Sequence, residues 1–268
     1  LMKLATWNVN GIRAREAQFC DWLARDTPDI VCLQELKAEP GQIPDRCKAA
    51  EYETFWHGQR GYSGVSLHVR KGAFASAPQF SHPPFDMETR IVQACFGNLT
   101  VASVYVPNGG KDYAAKIRFL HDLVAWTNAL HAEGRELILC GDINIARTDI
   151  DVHPRERKPD IIGQRPEERA LLESMLGEQM VDVARALHPE DERMFTWWAP
   201  WRNLRQRNIG WRIDYILASP SIAARVEACR VLADVGTSDH APVLATIAAA
   251  PTPLRAEAPG VVATPAGG

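Results

Sequence analysis

Leu137-Ile138-Leu139-Cys140-Gly141-Asp142-Ile143-Asn144-Ile145-Ala146 is a short apolar run that turns polar at its end. Unbroken apolar residues over a strand's length, after a helix-like segment, fit a strand buried on both faces. The spacing predicts that the strand breaks at Gly141. Asp142 and Asn144 then stand just past its end, on one side of an extended backbone. Ile143 and Ile145 anchor the other side. A carboxylate and an amide at the carboxyl end of a buried strand lie where α/β proteins place their chemistry. Taken alone, a solvated Asp-x-Asn turn is the simpler reading, because both residues are ordinary in turns.

The same pattern recurs outward from that stretch. Lys3 to Val9 reads as a strand that exits through Asn8-Val9-Asn10-Gly11, and the glycine permits a tight turn. Arg13 to Arg25 reads as a helix with Phe19, Trp22 and Leu23 on one face, stopped by Pro28. Asp29 to Glu35 is a second buried strand and ends in a carboxylate. Tyr52 to His57 and Gly64 to Arg70 form an antiparallel pair. Arg90 to Phe96 and Leu99 to Val106 flank the hairpin signal Gly97-Asn98. The second of these exits through Tyr105-Val106-Pro107-Asn108-Gly109-Gly110, where Pro107 forbids further pairing. Tyr113 to His131 is a long helix. Residues 147 to 165 form a polar loop of unusual length, and Pro166 opens a helix with acids in its first turn. Phe195 to Trp198 is a strand or its exit, and Arg212 to Ser219 a strand with Asp214 on the face opposite Tyr215. Arg225 to Leu232 and Val243 to Ala248 are the last strands, separated by Gly236-Thr237-Ser238-Asp239-His240. Both halves follow the order strand, helix, strands. The expectation is one catalytic domain over 2–248, with two mixed β-sheets packed face to face and helices outside, a four-layer α/β sandwich. The Pro-, Ala- and Gly-rich segment 249–268 is expected to be disordered.

The chain has 268 residues, 46% of them hydrophobic and 24% charged, enough for a sizeable core. A formal net charge of -3 gives no general pull toward nucleic acid, so any basic footprint must be local. Arg202, Arg205, Arg207 and Arg212 supply one, interleaved with Trp201 and Trp211 and with no acid between them. The six cysteines make no C-x-x-C pair, and several sit in apolar strands. No apolar run has the length of a membrane span. These features lead to the expectation of a reducing, cytoplasmic setting.

Polar ligands therefore cluster at one kind of position: Asn8, Asn10, Glu35, Tyr105, Asn108, Asp142, Asn144, Asp214, Asp239 and His240. The donors are carboxylates and amides with one histidine and no thiolate. That set suits Mg²⁺ or Mn²⁺ rather than zinc. A histidine with aspartates around it suits general-base or phosphate-stabilising work. Amides and a tyrosine bind phosphate oxygens without adding negative charge. Together they fit metal-assisted attack of water on a phosphodiester.

Trp7-Asn8-Val9-Asn10-Gly11, Leu33-Gln34-Glu35-Leu36-Lys37, Tyr105-Val106-Pro107-Asn108-Gly109, Gly141-Asp142-Ile143-Asn144, Gly210-Trp211-Arg212-Ile213-Asp214-Tyr215 and Ser238-Asp239-His240 resemble the motif series of the exonuclease III family of AP endonucleases. That family lies in the endonuclease/exonuclease/phosphatase superfamily, with a DNase I-like fold. The resemblance runs from Met2 to about Ala248. It implies that Glu35 binds the catalytic metal with Asn10 and Asp239, and that Asp142 and Asn144 extend this set. Asp142, positioned by Asn8 and Asn144, would activate or protonate at the scissile phosphate. His240, oriented by Asp214, would activate water or grip the phosphate. Tyr105 and Asn108 would contact the phosphate. Trp197 and Trp211 would wall a pocket for an extrahelical abasic sugar, which is cheap to flip. Lys111 stands where some relatives place a DNA-inserting arginine. Gly163, a small residue, points to abasic cleavage, although Gln164 replaces an aromatic common beside it. The implied enzyme is a monomer acting on double-stranded DNA with abasic sites or blocked 3′ ends, with 3′–5′ exonuclease and 3′-phosphatase activity.

Other readings use the same residues. One is an end-trimming exonuclease with little abasic activity. Another is an inositol-phosphate or sphingolipid phosphodiesterase on this fold, disfavoured by the Trp and Arg segment from Trp197 to Trp211. A third is an RNA-binding regulator, which would require lost catalytic residues, and none is lost.

Overall fold

The computed structural model describes residues 1–249 and places two six-stranded sheets face to face. In chain order the elements begin with β1 (Met2–Asn8), α1 (Glu16–Asp26), β2 (Ile30–Gln34), β3 (Tyr52–Gln59), β4 (Tyr62–Arg70) and β5 (Gln79–Ser81). They continue with β6 (Ile91–Phe96), β7 (Leu99–Tyr105), α2 (Tyr113–Ala132), β8 (Glu136–Asp142), α3 (Pro166–Glu173) and β9 (Val181–Asp182). The last are α4 (Val183–Leu187), β10 (Asp214–Ala218), α5 (Pro220–Ala223), β11 (Val226–Val231) and β12 (Val243–Ile247). The first sheet has the order β11-β12-β1-β2-β4-β3 and the second β5-β6-β7-β8-β10-β9. Each is built around one parallel pair, β1 with β2 and β7 with β8, flanked by antiparallel neighbours. No helix among the described residues is long and apolar enough to cross a membrane.

The two-residue side-chain period of each strand divides the core into layers. Leu4, Ile30, Cys32, Val101, Ile138, Cys140 and Ile216 face the opposing sheet. Their alternates Leu137, Leu139, Tyr215 and Leu217 face α2 and α3 through Phe119, Leu120, Leu123 and Leu172. Ala5, Trp7, Val31 and Leu33 face α1 through Phe19 and Trp22. The four expected layers are present. The inward rows also explain where the polar exits go. Continuing each inner row by two or four residues gives Asn8, Gln34, Ser103, Tyr105, Asp142 and Asp214, so the inter-sheet space turns polar at one end. Gln34 already bridges the sheets there, donating to Ser103 Oγ at 3.1 Å.

Several expectations shift. Strand β8 does not break at Gly141. It runs through to Asp142, which pairs with Tyr105 on β7 and Asp214 on β10. Gly141 is required because β7 passes so close that a Cβ there would meet the Val104 carbonyl at 1.9 Å. The helix from Arg13 starts as a 3₁₀ turn, and α1 proper begins at Glu16. Thr27, in the left-handed region, ends it before Pro28. Phe195 to Trp198 forms isolated bridges rather than a strand. The long 147–165 loop contains two 3₁₀ turns. It is held by Gln164, which donates to the Glu156 carbonyl and accepts from the Lys158 amide. The short elements β5, β9, α4 and α5 carry little periodicity and are legible only in three dimensions. The segment 249–268 expected to be disordered lies outside the described residues apart from Ala249.

Candidate active site

The strand exits from both sheets converge at the polar end of the sandwich. Asn8 is fully buried, and its amide nitrogen donates to Glu35 at 3.0 Å and to Asp142 at 2.9 Å. One side chain from β1 thus ties the end of β2 to the end of β8 in the other sheet. Its amide oxygen accepts the Asn10 backbone amide at 3.0 Å. Asn10, Glu35 and Asn144 all have φ between 46° and 57°. Left-handed backbone at non-glycine residues is costly and concentrates at functional turns. Here it turns the chain directly after three strands. Asn144 donates its backbone amide to Asp142 at 3.0 Å and its side-chain amide to the Val106 carbonyl at 2.9 Å.

His240 stands between two carboxylates. Its Nδ1 lies 2.8 Å from Asp214 and its Nε2 3.7 Å from Asp142. The donor atoms of Asp142, Asp214 and His240 all lie within 4.8 Å of one another. Ser238 fixes this corner, donating to the Asn8 carbonyl at 2.7 Å and accepting the His240 amide. Burial alone would strip the proton from His240, but the charges of Asp214 and Asp142 outweigh it and raise its pKa to about 10. The imidazole is therefore protonated at neutral pH. Asp142 is raised to about 7, first by burial and also by the negative charges of Asp214 and Glu35, against the pull of His240. One Asp214 oxygen is buried with no hydrogen-bond partner. Burial, together with Glu35 and Asp142, keeps the Tyr105 hydroxyl neutral, and the Arg90 guanidinium stacks over its ring at 4.9 Å.

Glu35, Asn10 and Asp239 form the half-open side. Asn10 donates to Asp239 at 2.8 Å, and Trp197 donates its indole N–H to the other Asp239 oxygen at 3.1 Å. Burial would raise the Asp239 carboxyl, but the His240 charge and these two donors hold it below the ordinary range. Lys37 places its ammonium 3.0 Å from Glu35 and 2.6 Å from the Asn10 amide oxygen. The oxygens are therefore arranged around a positive charge, which is the fit a hard divalent cation requires.

Trp197 and Trp211 meet edge to face with centroids 5.5 Å apart. The backbone of Trp197 bridges to Trp211 on one side and to His240 on the other. The Trp211 indole N–H is buried without a protein partner. Gly163 lies beneath this wall. Its φ is +94°, and a Cβ would meet the Trp211 ring at 2.9 Å and the Asn144 carbonyl at 3.3 Å. Asn108 is exposed near Asn144, and Lys111 is exposed with its ammonium 5.6 Å from the Tyr62 ring centre.

The basic segment divides in two. Arg202 and Arg207 are exposed, as is Trp201. Arg212 is not a surface residue. It is 1% exposed, paired through two bonds to Asp182 and a third to Asp151. Its place as a DNA contact is overturned, because Ile213 and Asp214 enter the sheet directly after it and carry it inward. Arg205 spends its donors on the carbonyls of Ala233, Val235 and Ser238 and stacks on Trp198. It braces the loop and leaves no free fork for phosphate.

No motif in the sequence gives Lys37, Lys116 or Glu168 a role, yet all three lie at the site. Lys116 is fully buried, pairs with Glu168, and donates to the carbonyls of Asn108 at 3.2 Å and Asn144 at 2.7 Å. Glu168 accepts the Gly163 amide at 2.7 Å. This pair joins three loops of the site from below. Its signal was available: Lys116 lies on the apolar α2 face with Phe119, Leu120 and Leu123.

Residues 5–240 match the profile described as "Endonuclease/Exonuclease/phosphatase family". The exodeoxyribonuclease of Bacillus subtilis is 33% identical over 251 residues, covering 90% of this chain and 98% of that protein. A variant of a 3′ phosphatase from Neisseria, solved with a product DNA hairpin, superposes with a TM-score of 0.84 at 31% identity, over 92% of this chain and 100% of that one. An AP endonuclease from Archaeoglobus fulgidus superposes with a TM-score of 0.83 at 28% identity, over 92% of this chain and 99% of that one. With the sheet order, the joined strand exits and matches over nearly the whole length, the chain belongs to the endonuclease/exonuclease/phosphatase family, in the branch of exodeoxyribonuclease III and the AP endonucleases.

Proposed function

We propose that the protein is a DNA-repair phosphodiester hydrolase that cuts duplex DNA 5′ to abasic sites and also processes blocked 3′ ends. The observation that carries this reading is the Asn8 amide holding Glu35 and Asp142 together beside the Asp214–His240 pair. Asp142, with a pKa near neutrality, takes the proton of the attacking water. His240, held protonated by Asp214, grips the phosphoryl oxygens as charge builds on them. Tyr105 and Asn108 donate to the phosphate, and Asn8 and Asn144 position the Asp142 carboxylate. A Mg²⁺ or Mn²⁺ ion at Glu35, Asn10 and Asp239, with Asp142 and Asn144 adjacent, would neutralise charge on the phosphodiester. Trp197 and Trp211 wall the space for an extrahelical sugar. Arg202, Arg207 and Lys111 face the backbone phosphates. The enzyme acts as a monomer.

The likeness to a 3′ phosphatase supports a second reading, in which 3′-end processing dominates. A duplex with one synthetic abasic site and a nicked duplex with a 3′ phosphate, each with Mg²⁺ and with EDTA, separate the two. Incision 5′ to the abasic site, abolished by EDTA, is expected. Processing of the 3′ phosphate alone establishes the second reading, and action on neither removes both.

A further inference from the structure

A second group of metal-type donors lies outside the catalytic end. His57 on β3, and His82 and Asp86 in the segment between β5 and β6, place their donor atoms within 4.8 Å of one another. One Asp86 oxygen is fixed by the backbone amides of Arg90 at 2.8 Å and Ile91 at 3.0 Å. The other faces both imidazoles, 2.7 Å from His57 Nε2 and 4.0 Å from His82 Nδ1. The two rings stack with centroids 4.8 Å apart and 15° between their planes, and Phe55 stacks on His57 with centroids 5.9 Å apart. The carboxylate is nearly buried, whereas the His82 side chain is 48% exposed.

We propose that His57, His82 and Asp86 form a second cation site, for a transition-metal ion of the zinc class, that staples the open edge of the sandwich. Two imidazoles and one carboxylate favour Zn²⁺, Co²⁺ or Ni²⁺ over the hard cations suited to the Glu35 side. Bonds of about 2.0–2.2 Å in tetrahedral geometry separate donors by roughly 3.3 Å. The His57–Asp86 distance therefore opens by about 0.6 Å and the His82–Asp86 distance closes by about 0.7 Å. The second move falls on the half-exposed His82 ring, which must turn on its stack with His57 and give up the 3.3 Å contact of its Nδ1 with the Pro83 carbonyl. Outer contacts that hold a ligand in place are characteristic of real sites, and the two backbone amides on Asp86 provide them. Three protein donors leave a fourth position open to solvent on the His82 side. Each imidazole must present an unprotonated ring nitrogen to the ion, so affinity falls in acid.

The location gives the site a purpose. Strand β3 is the last strand of one sheet and β5 the last of the other, and they meet through Phe55 and Phe80 at 5.9 Å. An ion there would add metal–ligand bonds across an edge already joined by the His57–Asp86 contact and by Phe55 against Phe80. Asp86 also anchors the amide of Arg90, whose guanidinium packs on Tyr105. The staple therefore borders the catalytic end without belonging to it.

The test is calorimetric titration of the full chain with Zn²⁺, and with Co²⁺ as a spectroscopic probe, in saturating Mg²⁺. Wild type is expected to bind one ion, with visible cobalt bands from nitrogen and oxygen donors and a rise in melting temperature. His82→Ala, at an exposed position, is expected to weaken binding at least tenfold and remove the rise, and His57→Gln to do the same. Asp142→Asn is expected to leave both intact, which separates this site from the Asp142, Asp214 and His240 cluster. Binding unchanged in His82→Ala and His57→Gln, binding lost in Asp142→Asn, or thiolate charge-transfer bands that point to cysteine, each overturns the assignment.

Discussion

Arg212 and Asp214 are two residues apart, and both are almost wholly buried, yet they belong to opposite kinds of charge cluster. Around Arg212 every charge is matched. Asp182 and Asp151 pair with it, Arg185 and Arg147 complete the two aspartates at 2.6 and 3.4 Å, and Glu173 pairs with Arg147 at 2.5 Å, so three arginines meet three acids. Burial works against Arg212 and Asp151 alike, but their partners outweigh it, holding the Arg212 pKa above and the Asp151 pKa below the ordinary values. Around Asp214 the charges do not balance. Asp142, Asp214, Glu35 and Asp239 share Lys37 and His240, one Asp214 oxygen has no partner, and Asp142 is pushed toward neutrality. A matched network holds structure. An unmatched one of similar burial keeps free energy available for a substrate and a cation, and its perturbed proton affinities are those of a working site.

The sharpest way to break this comparison is Asp142→Asn. Hydrolysis of abasic duplex is expected to fall roughly 10²–10⁴-fold, as for loss of a general base. The melting temperature at pH 7 is expected to hold or rise. The folded pKa of Asp142 lies above the ordinary carboxyl value, so its contribution to stability is present in acid and lost as pH rises through about 7. The amide removes that penalty. In wild type the rate should climb with pH through about 7 as Asp142 loses its proton and fall toward about 10 as His240 does. A rate profile that keeps its acidic limb in the variant would assign the base elsewhere.

Arg212→Leu tests the matched side. Removing one member of a buried network is expected to cost about 3–5 kcal/mol in denaturant unfolding. The salt dependence of DNA binding by the folded fraction should stay as in wild type. A changed salt slope with unchanged stability would return Arg212 to the DNA surface. Gly163→Ala falls between the two clusters. A left-handed alanine costs about 1–2 kcal/mol, and its methyl presses on Trp211. The KM for abasic duplex is expected to rise about tenfold, more than for the 3′-phosphate duplex. Equal changes for both substrates would show that this wall does not select the sugar.

The smallest expected effect is at the exposed arginines. Arg202→Ala and Arg207→Ala should each lower the salt slope of duplex binding by about 0.9 in metal-free buffer. Arg205→Ala should leave the slope unchanged and loosen the loop, since its donors are held by backbone carbonyls. A slope that falls for Arg205→Ala alone would reverse the division of this segment.

Much of the site was readable because it is built from strand exits. Asn8 and Asp142 end apolar runs and Asp214 opens one, and a strand's period of two fixes which side a terminal residue faces, whereas Glu35 follows the inward Gln34 and is redirected by its left-handed backbone. The arginines misled for the converse reason. Arg202, Arg205, Arg207 and Arg212 look alike as a run of charge, but only packing shows which lie on the surface, which brace a loop and which are paired in the interior. Lys116 and Glu168 were missed because a lone lysine on an apolar helix face reads as a tolerated exception. Only the fold brings the Asn108, Asn144 and Gly163 backbones to meet the pair.

By itself the sequence determined the strands, the main helices, the layering and the hard-oxygen character of the catalytic end, all of which follow from local periodicity and donor chemistry. Tertiary structure decided what depends on residues far apart in the chain. The Asn8 amide reaches an aspartate 134 positions away, and the fate of each arginine depends on which acids and carbonyls fold against it. The proton affinities of Asp142 and His240 were decided there too, because they are set by burial and by neighbours from both sheets, which no local stretch of sequence contains.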